Sequence, residues 1–287
     1  KVALFAVPAE EYIEIEYRDE LRRAGKLEFI GGKPEFIRLG EFDDVDMALM
    51  CHTTSDPNER KLVISNTNNG SVAKRIQFIG TGAHAGATPH LGVNALNAAS
   101  LAMLAIHANR ETFRDEDNVR FHGIITRGGD AVSAIPADVW LEWRVRAGSL
   151  GAVRENNIKL NRSFTAGALA VGARVKITTI PGYLPIRNDQ VLKNMFIQNA
   201  TALVGDQGLQ ITSDDVNRGH STDFGDLSNV MPVLGCSVGG VTGQGHNNNY
   251  LIEDWDVAVI DSAKVIAMML IDLMHGDGAA AKEVIAK

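Results

Sequence analysis

Apolar residues in the first part of the chain occur in short continuous runs. One run covers residues 2–7 and ends at Pro8, and another covers residues 46–51 and is followed by His52. Continuous runs of this length are typical of strands that are buried on both faces of a parallel sheet. The pattern therefore predicts two central strands, with a charged, helix-compatible stretch at residues 16–28 between them.

The pattern changes after residues 65–71, where a stretch rich in Ser, Asn and Gly is typical of a linker. The segments that follow are alternately strand-like and helix-like. We predict strands at 73–80, 121–127, 138–146 and 171–180, and helices at 92–109 and 150–169. Four strands and two helices in this order predict a small α+β sandwich of the ferredoxin-like kind, an open antiparallel sheet covered on one face.

An α/β pattern resumes after the Pro- and Gly-containing stretch 181–185. The elements predicted there are a helix at 189–204, a strand at 230–238 and a helix at 256–274. We therefore predict a discontinuous α/β domain of residues 1–70 and 184–287, into which an α+β domain of residues 71–183 is inserted. A chain of 287 residues with 45% hydrophobic composition is large enough to bury both cores.

The first predicted strand begins at the start of the chain. A central parallel strand is normally preceded by a helix and a turn, and none is present in this sequence. We therefore expect sequence upstream of Lys1 to be missing, so that the α/β domain lacks its N-terminal portion.

The chain is acidic overall, since 35 Asp and Glu residues against 28 Lys and Arg residues give a formal net charge of −7. This balance disfavours nucleic acid or an anionic membrane as a partner and favours a small-molecule or peptide substrate. The apolar stretch 257–274 contains Asp261, Lys264 and Asp272, which indicates a core helix rather than a membrane span. Two cysteines are too few for a disulfide framework, so we predict a cytoplasmic protein.

Two adjacent carboxylates, Glu10 and Glu11, follow the first predicted strand. Open α/β sheets bind ligands at the carboxyl ends of their strands, which makes this position a candidate site. In metal-assisted hydrolysis one carboxylate can hold the metal ion while its neighbour takes a proton from the attacking water. The alternative interpretation is an exposed acidic pair at the start of a helix.

Two histidines also follow predicted strands. His52 comes after the strand at 46–51, and His246 lies in a glycine-rich loop after the strand at 230–238. Imidazole and carboxylate together suit zinc, with manganese or cobalt as alternatives. A histidine in a loop is more often a plain surface residue, so the interpretation depends on the three strand ends lying close together.

A glycine-rich segment at residues 80–90 contains His84. The segment superficially resembles a dinucleotide-binding fingerprint, but its glycine spacing and the lack of an acid near residue 105 exclude that interpretation. His84 then either has a structural role in a turn or is an imidazole directed at a developing oxyanion.

Residues 235–239 match the Gly-x-Ser-x-Gly pattern of a serine nucleophile elbow. The elbow requires a helix directly after the serine, whereas residues 239–245 form a glycine-rich loop that does not favour one. Ser237 is therefore predicted to belong to the strand and not to act as a nucleophile.

Taken in order, five motifs are similar to those of a known family: Val-Pro-Ala-Glu-Glu (7–11), Met-Cys-His (50–52), Gly-Ala-His-Ala-Gly-Ala-Thr-Pro (82–89), Gly-Gly-Asp-Ala-Val-Ser-Ala-Ile-Pro (128–136) and Ser-Thr-Asp-Phe-Gly-Asp (221–226). The chain resembles the co-catalytic metallohydrolases of the aminoacylase and carboxypeptidase G type, nearest to the aminobenzoyl-glutamate hydrolase and dipeptidase branch. The resemblance implies a zinc-exopeptidase-like catalytic domain with two divalent metal ions, zinc above all. It also implies an inserted lid domain that forms a homodimer.

Carried over position by position, the resemblance implies Glu10 as the general base and Glu11, His52 and His246 as metal ligands. His84 would be the lid imidazole that stabilises the tetrahedral oxyanion, in the site of a neighbouring subunit. Candidate substrate contacts are Ser133, where relatives commonly show Asn, and three arginines that can pair with a substrate carboxylate, namely Arg144, Arg146 and Arg187.

The family's first metal-binding motif, a Cys-Gly-His or His-x-Asp element, is absent from the chain. We therefore expect this chain to supply only part of the metal site and to be inactive alone. The predicted function is metal-dependent hydrolysis of the amide bond in N-acyl amino acids or dipeptides, including substrates like aminobenzoyl-glutamate. The alternative is a non-catalytic dimerising or binding subunit with an incomplete metal site.

Overall fold

A computed structural model of the chain describes residues 1–65, 67–213 and 219–286. It divides into two compact units: unit 1 comprises Lys1–Thr67, Ile186–Asn217 and Thr222–Lys287, and unit 2 comprises Asn68–Pro185 and Arg218–Ser221. The unit boundaries fall at residues 67/68 and 185/186, where the sequence predicted 70/71 and 183/184. The short segment Arg218–Ser221, which the prediction assigned to the discontinuous domain, belongs to unit 2.

The described residues form strands and helices that are numbered in chain order. The strands are β1 (Ala48–Thr53), β2 (Leu62–Ile64), β3 (Gly70–Ile79), β4 (Arg120–Arg127), β5 (Asp138–Ala147), β6 (Arg174–Pro181), β7 (Leu209–Ile211), β8 (Val233–Val238), β9 (Val241–Thr242) and β10 (Leu251–Ile252). The helices are α1 (Ile15–Arg23), α2 (Gly32–Leu39), α3 (Ala95–Asn109), α4 (Leu150–Ala170), α5 (Gln190–Val204), α6 (Phe224–Leu227) and α7 (Ser262–Ile285). None of these helices is long and apolar enough to cross a membrane.

Unit 1 contains a four-stranded sheet in the order β1-β8-β2-β7. β1 runs parallel to β8, β2 runs antiparallel to β8, and β7 runs parallel to β2. Helices α5 and α7 supply Phe196 and Met269 to a buried cluster that also contains Leu62 of β2 and Leu234 of β8. The sheet therefore has an apolar helical layer, as expected for an α/β domain.

The strand predicted at residues 2–7 does not form, and this prediction was wrong. Leu4 is 99% exposed and Val2 is 53% exposed. A strand must satisfy its backbone N–H and C=O groups through a neighbouring strand, and no described strand pairs with this segment. The segment is extended coil whose contact with the rest of unit 1 includes the ring of Phe5 against the ring of Phe42, with centroids 4.6 Å apart.

The strand predicted at residues 46–51 is shifted along the chain. β1 covers Ala48–Thr53, so His52 lies within the strand and pairs in register with Ser237 of β8. Ser237 is likewise inside a strand, as predicted, and Gly239 and Gly240 follow it instead of a helix.

Unit 2 is an antiparallel sheet in the order β4-β5-β3-β6 with α3 and α4 packed on it. Its chain order, strand-helix-strand-strand-helix-strand, is that of the ferredoxin-like fold. Every second residue of β5 is buried in the core beneath the helices, among them Val139, Leu141 and Val145. The predicted fold class, an α/β protein with an inserted α+β domain, is confirmed.

Local sequence signals explain where the long helices begin. Asn94 accepts hydrogen bonds from the backbone N–H groups of residues 96 and 97 at the start of α3. Ser149 caps α4 and Asp189 caps α5 in the same way. Asn, Ser and Asp are favoured at this position because their side chains satisfy N–H groups that have no partner within the helix. The predicted helices therefore start close to their observed positions.

Candidate active site

Glu11 and His246 meet in unit 1 although most of the chain separates them. The Nε2 atom of His246 lies 3.6 Å from Oε1 of Glu11, and the two side chains are 80% and 54% exposed. This distance is longer than a hydrogen bond. It is close to the separation of about 3.3 Å that two ligands at about 2.0–2.1 Å from one tetrahedral zinc ion would have. The structure thus brings together two of the predicted metal ligands.

Both sides of this pair have unusual backbone conformations. Ala9, just before the two carboxylates, has φ of 60°, and His246 itself has φ of 66°. Residues other than glycine rarely adopt positive φ, because Cβ then crowds the backbone. Such strain persists where the surrounding structure imposes it and is frequent at functional sites.

Glu10 is half-buried and lies in the field of a buried ion pair. Asp223 is fully buried and accepts hydrogen bonds from Nζ of Lys33 at 2.5 Å and from the Lys33 backbone N–H at 3.0 Å. Burial raises the pKa of Asp223, the charge of Glu10 acts in the same direction, and Lys33 opposes both. Lys33 was not among the residues predicted from the sequence. The only signal for it is the pair of glycines before it at the start of α2, because glycine is typical of places where two backbone segments come close together.

A cavity of about 520 Å³ lies between the loop after β1 and the loop after β8. Residues 54–57 and 239–244 line much of it. The hydroxyls of Thr53 and Tyr250 are 2.7 Å apart and join the end of β1 to the loop that carries His246. The cavity is therefore at the carboxyl ends of two parallel strands, where α/β sheets bind ligands, and its volume suits a small molecule.

His52 is exposed on β1, and its Nδ1 lies 2.6 Å from the carbonyl oxygen of Thr53. Among the described residues, no three His, Cys, Asp or Glu side chains come together as a metal-binding group. Catalytic zinc sites use three protein ligands and structural ones use four. Glu11 and His246 alone therefore do not complete a metal site in the part of the chain that the structure describes.

His84 belongs to unit 2 and is exposed. Its Nδ1 accepts hydrogen bonds from the backbone N–H groups of Gly86 and Ala87, at 3.2 Å and 3.0 Å. Because Nδ1 is an acceptor in this turn, the neutral ring carries its proton on Nε2. The structure thus leaves Nε2–H as a donor, which is the form needed to stabilise a developing oxyanion.

Ser133 lies beside His84 in the same unit. Residue 84 forms an isolated bridge with Ala134, and the carbonyl oxygen of Ser133 accepts a hydrogen bond from Ala85 N at 2.8 Å. The segment that contains Ser133 is thereby tied to the segment that contains His84. These two predicted residues are therefore neighbours.

The predicted arginines fall into different units. Arg144 and Arg146 lie on β5, on the face of the sheet away from the helices, and Arg146 donates to the carbonyl oxygen of Gly219 at 3.5 Å. Arg187 lies in unit 1, is exposed, and its backbone N–H donates to Ser228 Oγ at 3.1 Å. Arg144 and Arg146 therefore lie on the same strand face of unit 2, and Arg187 does not belong to that unit.

His122 of β4 pairs in register with Arg144 and was missed by sequence reasoning. Desolvation lowers the pKa of His122 to about 4, and the positive charges of Arg146, Arg144 and Arg110 act in the same direction. The histidine is therefore neutral at pH 7 and lies within a basic cluster. The sequence carries no local signal for it, because the cluster arises from strand pairing.

Residues 66–161, almost all of them in unit 2, match the model of the M20 peptidase dimerisation domain. The Xaa-Arg dipeptidase of Mus musculus is 30% identical over 208 residues, which cover 71% of this chain and 46% of that protein. One of the p-aminobenzoyl-glutamate hydrolase subunits of Escherichia coli (strain K12) is 26% identical over 159 residues, 54% of this chain and 32% of that protein. The chain spans about half the length, or less, of these curated relatives.

The fold is shared with solved structures. The aminobenzoyl-glutamate utilization protein from Klebsiella pneumoniae superposes with a TM-score of 0.61 at 17% sequence identity, covering 89% of this chain and 58% of that one. The sequence matches to the dimerisation-domain model and to the two curated relatives confirm the family resemblance that the motifs indicated. The chain belongs to the M20 peptidase family.

Proposed function

We propose that this chain is part of a hydrolase that cleaves the amide bond of a dipeptide or an N-acyl amino acid, aminobenzoyl-glutamate-like substrates included. The observation that carries the proposal is the approach of Glu11 to His246 at 3.6 Å, next to Glu10. The names of the relatives, a dipeptidase and an aminobenzoyl-glutamate hydrolase subunit, support the same chemistry. A cytoplasmic location, inferred from the cysteine content, is part of the proposal.

In this proposal Glu10 is the general base that takes a proton from the attacking water. Glu10 is half-buried, and its charge acts on the Lys33–Asp223 pair. Glu11, His246 and His52 are proposed as the metal ligands that this chain supplies. Two divalent ions are proposed as cofactors, zinc first, with manganese or cobalt as alternatives, and the described residues supply only part of their ligand set.

His84 is proposed as the donor to the oxyanion, through the Nε2–H that its two backbone hydrogen bonds leave available. Ser133, which the structure ties to His84, is proposed to contact the substrate nearby. Arg144 and Arg146, with Arg187 as a further candidate, are proposed to bind a substrate carboxylate, because a guanidinium can donate two parallel hydrogen bonds to it.

Unit 2 is proposed to form a homodimer with a second copy. β4 is an edge strand of the sheet, and Ile124 and Ile125 on it are 63% and 39% exposed. On α3, Leu101 and Leu104 are also exposed, at 39% and 65%. An edge strand with exposed apolar side chains is a template for pairing with another chain.

The test measures hydrolysis by the full gene product. A panel of N-acyl amino acids and dipeptides is assayed with zinc, manganese or cobalt, for the wild type and for Glu10→Gln. We expect turnover by the wild type and a loss of about 10²- to 10⁴-fold in Glu10→Gln, with unchanged metal content. Turnover retained by Glu10→Gln would remove the assigned role.

A second function is favoured by one observation, the incomplete ligand set of the described residues. In this second function, the chain is a non-catalytic dimerising or binding subunit. A stable dimer with no hydrolysis of any substrate in the panel supports this alternative and rejects the hydrolase.

A further inference from the structure

The loop that carries Glu10 and Glu11 has no strand to hold it. Its neighbouring residues 2–7 are coil, and no described strand pairs with them. The loop nevertheless places Glu11 next to His246 with Ala9 in a strained conformation. Something other than a sheet must therefore fix its position.

Arg18 of α1 contacts both ends of this loop. Its Nη1 donates to the carbonyl oxygen of Glu11 at 2.6 Å and reaches that of Ala9 at 3.5 Å. The same nitrogen donates to the carbonyl oxygen of Ile30 at 3.1 Å. One half-buried guanidinium thus connects the carboxylate loop to the segment that leads into α2.

The start of α2 also contacts the loop that carries Glu10 and Glu11. Gly32 N donates to the carbonyl oxygen of Ala9 at 3.3 Å. A Cβ atom on Gly32 would lie only 2.0 Å from the carbonyl oxygen of Pro8, so no other residue fits without a shift. Lys33 then fastens the same helix end to the buried carboxylate of Asp223.

α1 has buried side chains of its own. Ile15, at its first position, is buried. Asp19, next to Arg18, is also fully buried, and its ion pairs with Arg22 at 3.0 Å and Arg23 at 2.5 Å form within the same helix. Burial of these two side chains holds the helix that carries Arg18.

We propose that Arg18 is a positioning residue, which sets the place of the Glu10 and Glu11 carboxylates relative to His246. Its charged donor satisfies carbonyl groups that a neighbouring strand would satisfy in a sheet, and so replaces that strand as the support of the loop. The inference rests on the proposed function only where activity is measured.

The activity test compares Arg18→Met with Lys26→Met in the full gene product. Both variants remove a cationic side chain from the region of α1. Lys26 is exposed just after the helix, whereas Arg18 contacts the loop. We expect kcat to fall about 10- to 100-fold in Arg18→Met, because small displacements of reacting groups have effects of this size, while KM changes less than about threefold. Lys26→Met is expected to keep the wild-type kcat.

A second measurement does not depend on activity. Hydrogen–deuterium exchange of a peptide covering residues 8–14 reports whether the loop is held. We expect exchange about tenfold faster in Arg18→Met and unchanged in Lys26→Met. If the wild type hydrolyses nothing, the proposed function fails and exchange alone decides the inference.

Arg18→Lys serves as the conservative variant and as the reference if Arg18→Met does not fold. Lysine keeps the charge but lacks the planar fork, so we expect exchange and kcat between those of the wild type and of Arg18→Met. Wild-type exchange in residues 8–14 for every folded Arg18 variant would overturn the proposal. So would a loss in Lys26→Met equal to that in Arg18→Met.

Discussion

Unit 2 and the first fourteen residues of unit 1 support their functional side chains in different ways. In unit 2, β5 is hydrogen-bonded on both sides and buries every second residue under α3 and α4. In unit 1, the apolar segment 2–7 is exposed coil, and the carboxylates after it depend on polar contacts from α1 and α2. Packing thus supports one region, whereas charged side chains support the other.

Polar support is strong only while every partner is present. A buried carboxylate that loses its cation keeps the full cost of desolvation, whereas an apolar core that loses a methyl group loses less. Substitutions that remove one partner from each region should therefore separate the two kinds of support.

Lys33→Met should destabilise unit 1 by about 3–5 kcal/mol, because Asp223 is fully buried and would lose its cation. Chemical denaturation measures the change, and Lys26→Met, at an exposed position, is the matched control. The double variant Lys33→Met, Asp223→Leu should regain part of the stability. A loss below about 1 kcal/mol in the single variant would show that water reaches the pair.

Gly167→Ala should destabilise unit 2 by about 1–3 kcal/mol, since overpacking forces a shift. A Cβ atom there would lie 2.4 Å from the carbonyl oxygen of Ala98 on α3. Gly151→Ala in the same helix, where the nearest such atom is 3.9 Å away, should instead stabilise by about 0.5–1 kcal/mol. Equal effects of the two substitutions on the thermal midpoint would contradict close packing of α3 on α4.

Ile124→Lys should weaken the proposed homodimer about 10- to 30-fold in Kd, which is about 1.4–2 kcal/mol. The residue is exposed on the edge strand, so the fold of unit 2 should be unaffected. Analytical ultracentrifugation measures the dissociation, and Ile158→Lys, exposed on α4, is the control. An unchanged Kd would place the dimer contact elsewhere.

Lowering the pH from about 7 to 4 should destabilise unit 2 partly through His122. The unfolded histidine takes up a proton near its ordinary pKa of 6.5, whereas the folded one does so only near 4, so stability is lost as the pH falls through this window. Because solvent screens the exposed side chain, we expect about 0.5–1 kcal/mol. His122→Gln should abolish this portion of the pH dependence, and an identical profile would assign it to other groups.

Much of the fold follows from local signals. The long elements β3, β4, β5 and β6 and helices α3, α4 and α5 lie close to their predicted positions, because alternating or helical apolar spacing and the caps Asn94, Ser149 and Asp189 act within the segment itself. The predicted helix at 256–274 also forms. It starts with a π-helical turn at Asp256–Asp261 and continues into α7, and the non-helical backbone at 275–278 begins directly after its predicted end. Strands β2 and β7 were not predicted, because a strand of three residues is too short to show a pattern of apolar and polar positions.

The sequence by itself named the candidate site residues one at a time, from Glu10 and Glu11 to His246. Only the tertiary structure decided that Glu11 and His246 approach each other and that residues 2–7 remain coil. It also decided that Arg18 binds the backbone of the carboxylate loop and that Lys33 pairs with Asp223. The physical reason is that a hydrogen bond or ion pair between distant segments leaves no periodic trace in either segment. Its energy depends on burial and on the partner, and both exist only once the chain has folded.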